Sequence, residues 1–176
     1  MADYDLRFDS STGTYGTAGG GGTQLMFFAR HTAQTPNITG NGTNYQIIYD
    51  TADVNVGTCY NTSTGVFTVP QTGIYEFKTG IFLSGVNSTL ADFIYYLNNV
   101  TNAFPVACWY AYFDCAKNTA NNDFICTYSL IPIRPTQTAG DQIYNSVVIY
   151  GNGADNVTLN GSGSNYQSWW ACYKVT

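Results

Sequence analysis

Residues 73–85 read GIYEFKTGIFLSG. Tyr75, Phe77, Thr79, Ile81 and Leu83 fall on one side of an extended chain, and Glu76 and Lys78 on the other. A period of two is the pattern of a strand that packs one face and wets the other, and a helix cannot use it. The rest of the chain offers little material for helices. Charged residues make up 10% of the sequence and Glu76 is its only glutamate, so the side chains that line exposed helix faces are missing. Tyr (15) and Phe (10) are abundant, as are Val, Ile and Thr, and these residues favour strands. The sequence predicts an all-β protein.

Further strands are expected along LMFFARHTA, NYQIIYD, GVFTVP, ADFIYYLNN, DFICTYSLIPIRP, GDQIYNSVVIYGNG and YQSWWACYKV. Pro70 closes GVFTVP, because it removes a ladder donor and marks a strand end. Turn residues separate these runs at short intervals, which predicts a two-sheet sandwich or jelly roll. The 176 residues fit one domain and can bury a core without metals or disulfides. Residues 1–24 differ from the rest. Asp3, Asp5, Arg7 and Asp9 alternate with Tyr4, Leu6 and Phe8, a period of two that can pair as a strand, and a tract from Gly19 to Gly22 then reads as a flexible linker. The expected organisation is an arm over 1–24, with Tyr4, Leu6 and Phe8 as its anchoring residues, and a single β domain over 25–176. The arm is expected to be ordered by a neighbouring subunit or larger assembly, or alternatively to fold back on its own domain. The opening MADYDLRFDSSTG lacks the basic and apolar regions of a signal peptide, so none is expected.

Charge excludes several functions. The net charge is −5 and the pI about 4.4, and six scattered basic residues form no face for nucleic acid or for an anionic membrane. No apolar run approaches the roughly 20 residues that span a bilayer. Five cysteines (Cys59, Cys108, Cys115, Cys126 and Cys172) show neither a CxxC pair nor metal-ligand spacing with histidine, and read as small buried hydrophobes. His31 is the only histidine, and any nucleophilic triad would have to use it. It reads instead as a surface or hydrogen-bonded residue at a strand end, and replacing it with Ala is expected to change nothing. No G-x-S-x-G, H-E-x-x-H or P-loop is present, and the glycine- and aspartate-bearing GNGADNVTLNGSG lacks EF-hand spacing. The expectation is no enzyme, no metal and no cofactor, with Asp141 and Asp155 as turn residues. Seven N-x-S/T triplets, starting at Asn37, Asn41, Asn61, Asn87, Asn99, Asn156 and Asn160, read as products of an Asn- and Thr-rich surface.

Residues 47–85 carry a denser pattern. Tyr49 and Asp50 are followed by Asn55, Gly57 and Tyr60, then by Gly65, Phe67, Pro70, Gly73, Tyr75 and Phe77. This resembles the signature of the C1q globular domain, within the C1q/tumour-necrosis-factor superfamily. The family's Gly-Asp turn matches Gly140 and Asp141. Its closing segment resembles YQSWWACYKV, with Trp170 one place later than the family aromatic and Ala171 or Cys172 in place of a glycine. The resemblance spans 25–175. The same residues have physical jobs: Gly65 permits a backbone that others resist, Phe67 points inward, Pro70 and Gly73 bracket a turn, and Tyr75 and Phe77 share a buried face. They specify a scaffold.

The resemblance implies a ten-stranded jelly roll that assembles as a homotrimer along aromatic and aliphatic stripes. No collagen-like G-x-y repeat is present. The expected function is a non-enzymatic viral structural protein at the virion surface, a trimeric capsid decoration (cement) or fibre-head protein. Its partner would be a capsid or other assembly protein, reached through residues 1–24. The alternative is a lectin-like or receptor-binding head, extracellular or at a cell surface, with Trp109, Tyr110, Tyr112 and Trp169 stacking on a glycan or receptor. The premise is that a single copy cannot hide so many rings.

Overall fold

The computed structural model describes residues 7–9, 14–16, 23–86, 92–101, 104–110, 116–118, 123–130, 136–165 and 167–175. For 7–9, 14–16, 104–110, 116–118 and 123–130 it describes the backbone alone. Among the described residues there is no α-helix. The only helical element among them is one 3-10 turn, Val56–Thr58.

The strands are, in order, β1 (Arg7–Asp9), β2 (Thr14–Gly16), β3 (Thr23–Arg30), β4 (Thr35–Thr39), β5 (Tyr45–Gln46), β6 (Thr51–Asn55), β7 (Tyr60–Asn61), β8 (Val66–Thr68) and β9 (Gly73–Ser84). Then come β10 (Asp92–Asn99), β11 (Phe104–Tyr110), β12 (Ala116–Asn118), β13 (Asp123–Leu130), β14 (Thr136–Gln137), β15 (Gln142–Tyr150), β16 (Val157–Leu159) and β17 (Trp169–Val175). They form two antiparallel sheets. The larger runs β1-β2-β3-β17-β9-β13-β12, with β6 on β3, β14 and β16 on β9, and β4 on β16. The smaller runs β11-β10-β15-β8-β7, with β5 on β15. The jelly-roll sandwich read from the sequence is the architecture observed, its strands cut into shorter pieces by bulges and turns.

β9 explains the layering. Tyr75, Phe77, Thr79, Ile81 and Leu83 are all buried, while Ile74 is exposed and Glu76, Lys78 and Phe82 are half-buried on the opposite side. The inward row meets Phe93, Tyr95, Leu97, Ile143, Val147 and Ile149 from the smaller sheet, and this layer is the core. At its centre Trp170 is fully buried. It packs edge-on to Phe27 (ring centroids 4.8 Å) and stacks with Phe77 (5.7 Å), while Phe27 stacks with Tyr60 (4.8 Å). Each such ring withdrawn from water contributes about 1.5–3 kcal/mol, so this cluster is a large part of what holds the sheets together.

β3 starts at Thr23, inside the segment read as an arm. Thr23 and Gln24 pair with Val175 and Lys174 of β17 on one edge and with Tyr15 and Thr14 of β2 on the other. β1 pairs with β2 in turn, Phe8 opposite Tyr15. The described parts of the arm are therefore a hairpin that extends the larger sheet. Tyr4 and Leu6 lie outside the described residues.

Candidate functional site: the outward face of the large sheet

The residues that carried the family resemblance build scaffold. Tyr60 Oη accepts the Tyr49 N–H (3.0 Å) and donates to the Tyr49 carbonyl (3.1 Å), tying β7 to the segment before β6. Tyr49 Oη meets Thr79 Oγ1 at 3.2 Å inside the core. Burial pushes both phenols far above their ordinary range, and the hydrogen bonds to Tyr49 and to Thr79 only partly oppose it. Asp50 is exposed and accepts the Thr32 N–H and hydroxyl. Gly65 has φ +70°, and a Cβ there would lie 2.7 Å from the Ile47 carbonyl oxygen, so both conformation and space demand glycine. Gly57 also has a positive φ but faces open space. Phe67 packs against Tyr75 and Phe77. Gly73 has another use: a Cβ would sit 3.0 Å from the Lys174 stem, whose ammonium reaches Gln71 Oε1 (2.7 Å). At the Gly-Asp turn, Gly140 N donates to Val69 O and Val69 N to Asp141 O (both 2.8 Å), clamping the turn onto the residue before Pro70.

The outward face of the large sheet carries what the core leaves over. In register across β3, β17 and β9 the rows are Arg30–Trp169–Gly80, Phe28–Ala171–Lys78, Leu25–Tyr173–Glu76 and Thr23–Val175–Ile74. Phe28 and Trp169 stack with centroids 5.6 Å apart and planes 19° from parallel. Trp169 lies over Gly80, where a Cβ would meet its indole nitrogen at 2.3 Å. Ile74 and Val175 are exposed (43% and 39%), and Leu25, Phe28, Phe82, Trp169 and Tyr173 are half-buried. Among the described side chains, charge on this face is balanced. Lys78 lies 5.0 Å over the Tyr173 ring and 3.5 Å from Glu76, and at the rim Arg30 pairs with Asp53 at 3.0 Å. An apolar, charge-neutral surface of this kind is suited to contact with another protein surface.

The premise that one copy cannot hide its rings needs refinement. Phe27, Tyr49, Tyr60, Phe67, Tyr75, Phe77, Phe93, Tyr95 and Trp170 are all enclosed within the protomer. The surplus among the described residues is a smaller set, and much of it is gathered on this one face. Of the four expected ligand rings, Trp169 belongs to it. Trp109 and Tyr110 sit in β11, paired in backbone register with Tyr95 and Ile94, and Tyr112 lies outside the described residues.

Of the two readings of His31, surface or hydrogen-bonded, the structure shows the second, and its replacement by Ala is now expected to cost stability. It is buried, with Nδ1 donating to the Ile48 carbonyl (3.0 Å) and Nε2 bonded to Thr35 Oγ1 (3.0 Å). Its backbone also joins Ser168 and Ser162, so it staples four segments. The signal was in the sequence: Phe27, Ala29 and His31 are alternate residues, and the inward row of β3 continues one step past the strand. Thr35 supplies the one hydroxyl bonded to its ring, and among the described residues no carboxylate bonds the ring to complete a triad. Asp155 is held by Thr43 and Asn41, and Asp141 by Thr138, as turn residues. Among the described residues no group of three His, Cys, Asp or Glu side chains gathers for a metal. Cys59 and Cys172 are free and buried, and burial pushes the Cys59 thiol up to about 11. A cavity of about 180 Å³ lies beside the Pro70–Gln71 turn, walled by Met26, Val56 and Pro70 and rimmed by Gln24, Gln71 and Lys174. It holds no acid–base pair.

A family model, C1q domain, matches residues 26–121. Among solved structures, the globular domain of zebrafish complement 1qA protein aligns with a TM-score of 0.53 at 10% identity, over 83% of this chain and 93% of that one. Murine APRIL (TM-score 0.49, 13% identity, 85% and 98%) and the Eiger TNF of S. frugiperda (0.49, 12%, 86% and 93%) also align. No curated protein sequence matches the chain. With more than half of the sequence inside the family model and the sandwich in place, the chain belongs to the C1q domain family.

Proposed function

We propose that the chain is a non-catalytic head domain that works as a homotrimer, each copy meeting its neighbours through the outward face of the large sheet. The observation that carries this is the apolar patch of Leu25, Phe28, Ile74, Trp169, Tyr173 and Val175 with its charges cancelled. A chain of net charge −5 repels its own copies, so self-association is favoured where the local charge is zero. C1q-family membership supports the threefold arrangement. The reading extends to a capsid-decorating or fibre-head role at a virion surface, with residues 1–24 as the anchor. The β1–β2 hairpin supports it, because a hairpin at a sheet edge can pass that edge to another protein. Three linked arms would multiply individually weak contacts.

Two variants test the proposal. Phe28→Asp should give a folded monomer, and a trimer surviving that change would contradict it. Deleting residues 1–22 should leave the trimer intact while abolishing attachment to particles, and a truncated chain that still attached would remove the anchoring role. Of the four rings named for the lectin-like alternative, Trp169 is the one whose side chain is described, and it lies on the face assigned to assembly.

A further inference from the structure

Glu76 and Lys78 stand two residues apart on β9, in the middle of a face otherwise built from rings, aliphatic side chains and small residues. Their side chains are about a quarter and two-fifths exposed in one copy, and the Lys78 ammonium is fixed from two sides, by the Glu76 carboxylate and by the Tyr173 ring. An exposed pair of this kind contributes little to a protomer's stability. Its position matters more than its strength. Tyr173, across the ladder from Glu76, and Phe28, one strand beyond the buried Ala171 in the Lys78 row, both belong to the apolar patch, so a surface that covers the patch must also cover the pair.

Resting on the assembly proposed above, we infer that the Glu76–Lys78 pair is enclosed when copies associate and acts as a charge key for the contact. Enclosure changes the physics. Two opposite charges taken from water together recover part of their desolvation cost from each other, whereas one charge taken alone recovers none. The pair therefore discriminates. It admits a surface that leaves both charges together and penalises any contact, including a slipped register of the same two faces, that separates them.

The signature is non-additivity, read from the oligomer distribution of the full chain over a dilution series for wild type, E76Q, K78M, E76Q/K78M and the swap E76K/K78E. Each single variant should raise the dissociation midpoint by about tenfold or more, because it strands one buried charge. The double variant and the swap should stay within about threefold of wild type, because neither strands a charge. Single variants that dissociate as wild type does would show the pair in water and overturn the inference, while leaving the trimer standing. So would a double variant as weak as the worse single one. A wild-type chain that is monomeric throughout removes the assembly itself. The unfolding midpoint of each variant at high dilution separates a role in the contact from a role in the sheet: the account expects all five to agree there, and a shift in that midpoint that matches the loss of assembly overturns it.

Discussion

Trp169 and Trp170 are adjacent in sequence and stand on opposite faces of one strand. Trp170 is enclosed by Phe27, Tyr60 and Phe77 and lies at the centre of the sandwich. Trp169 lies over Gly80 beside Phe28, half-buried, with no second sheet above it among the described residues. The inner face is complete within one chain, and the outer face has the same kind of side chain without the partner layer. The difference separates the residues that make the fold from those left for a neighbour, and it yields experiments of decreasing size.

The largest effect should come from the inner face. Trp170→Ala removes the ring on which the core cluster converges and should cost about 3–5 kcal/mol, read from the urea unfolding midpoint. Alkali attacks the same layer. Tyr49, Tyr60, Cys59 and Cys172 all have pKa values raised by burial, so they stay protonated in the native state at pH values where the unfolded chain ionises. Stability should hold up to about pH 9 and fall steadily above it, the thiols acting first and the phenols from about pH 10. A flat stability profile from pH 8 to 11 would contradict the enclosed inner face. Gly65→Ala should follow at about 2 kcal/mol or more, since it meets both a left-handed backbone and the Ile47 carbonyl, while Gly57→Ala should cost only about 1 kcal/mol. His31→Ala strands the Ile48 carbonyl and should cost about 1–3 kcal/mol in thermal or urea unfolding. Trp169→Ala closes the series: it should change the stability of the dilute monomer by no more than about 1 kcal/mol while weakening assembly.

The inner face was legible in the sequence because alternation and chemistry agreed. Tyr75, Phe77, Thr79, Ile81 and Leu83 could be read as one buried row from their spacing alone, and the glycine at 65 stands where the chain turns with a positive φ. The outer face was much less legible. LMFF has no alternation, and the register shift between Leu25 and Phe27, where Met26 interrupts the pairing with β17, decides which of its residues face inward. A bulge of this sort is set by the partner strand, which local sequence does not specify. For the same reason the partners were not legible: the alternation through Arg7 and Asp9 suggested a strand, but neither the pairing of β1 with β2 and β2 with β3 nor that of β6 with β3 could be assigned, since short edge strands carry too few residues to declare a partner. For His31 the sequence left surface and hydrogen-bonded readings open, because its polar neighbours hid the inward step it shares with Phe27 and Ala29.

The most direct test of the account is the mass of the intact chain in solution, followed by sedimentation or light scattering from micromolar to nanomolar concentration. The account predicts a species of three times 19.2 kDa that dissociates to folded monomer on dilution, with Trp169→Ala dissociating at higher concentration than wild type. A particle of 19.2 kDa at every concentration, with the outward face of the large sheet open to solvent, would contradict it.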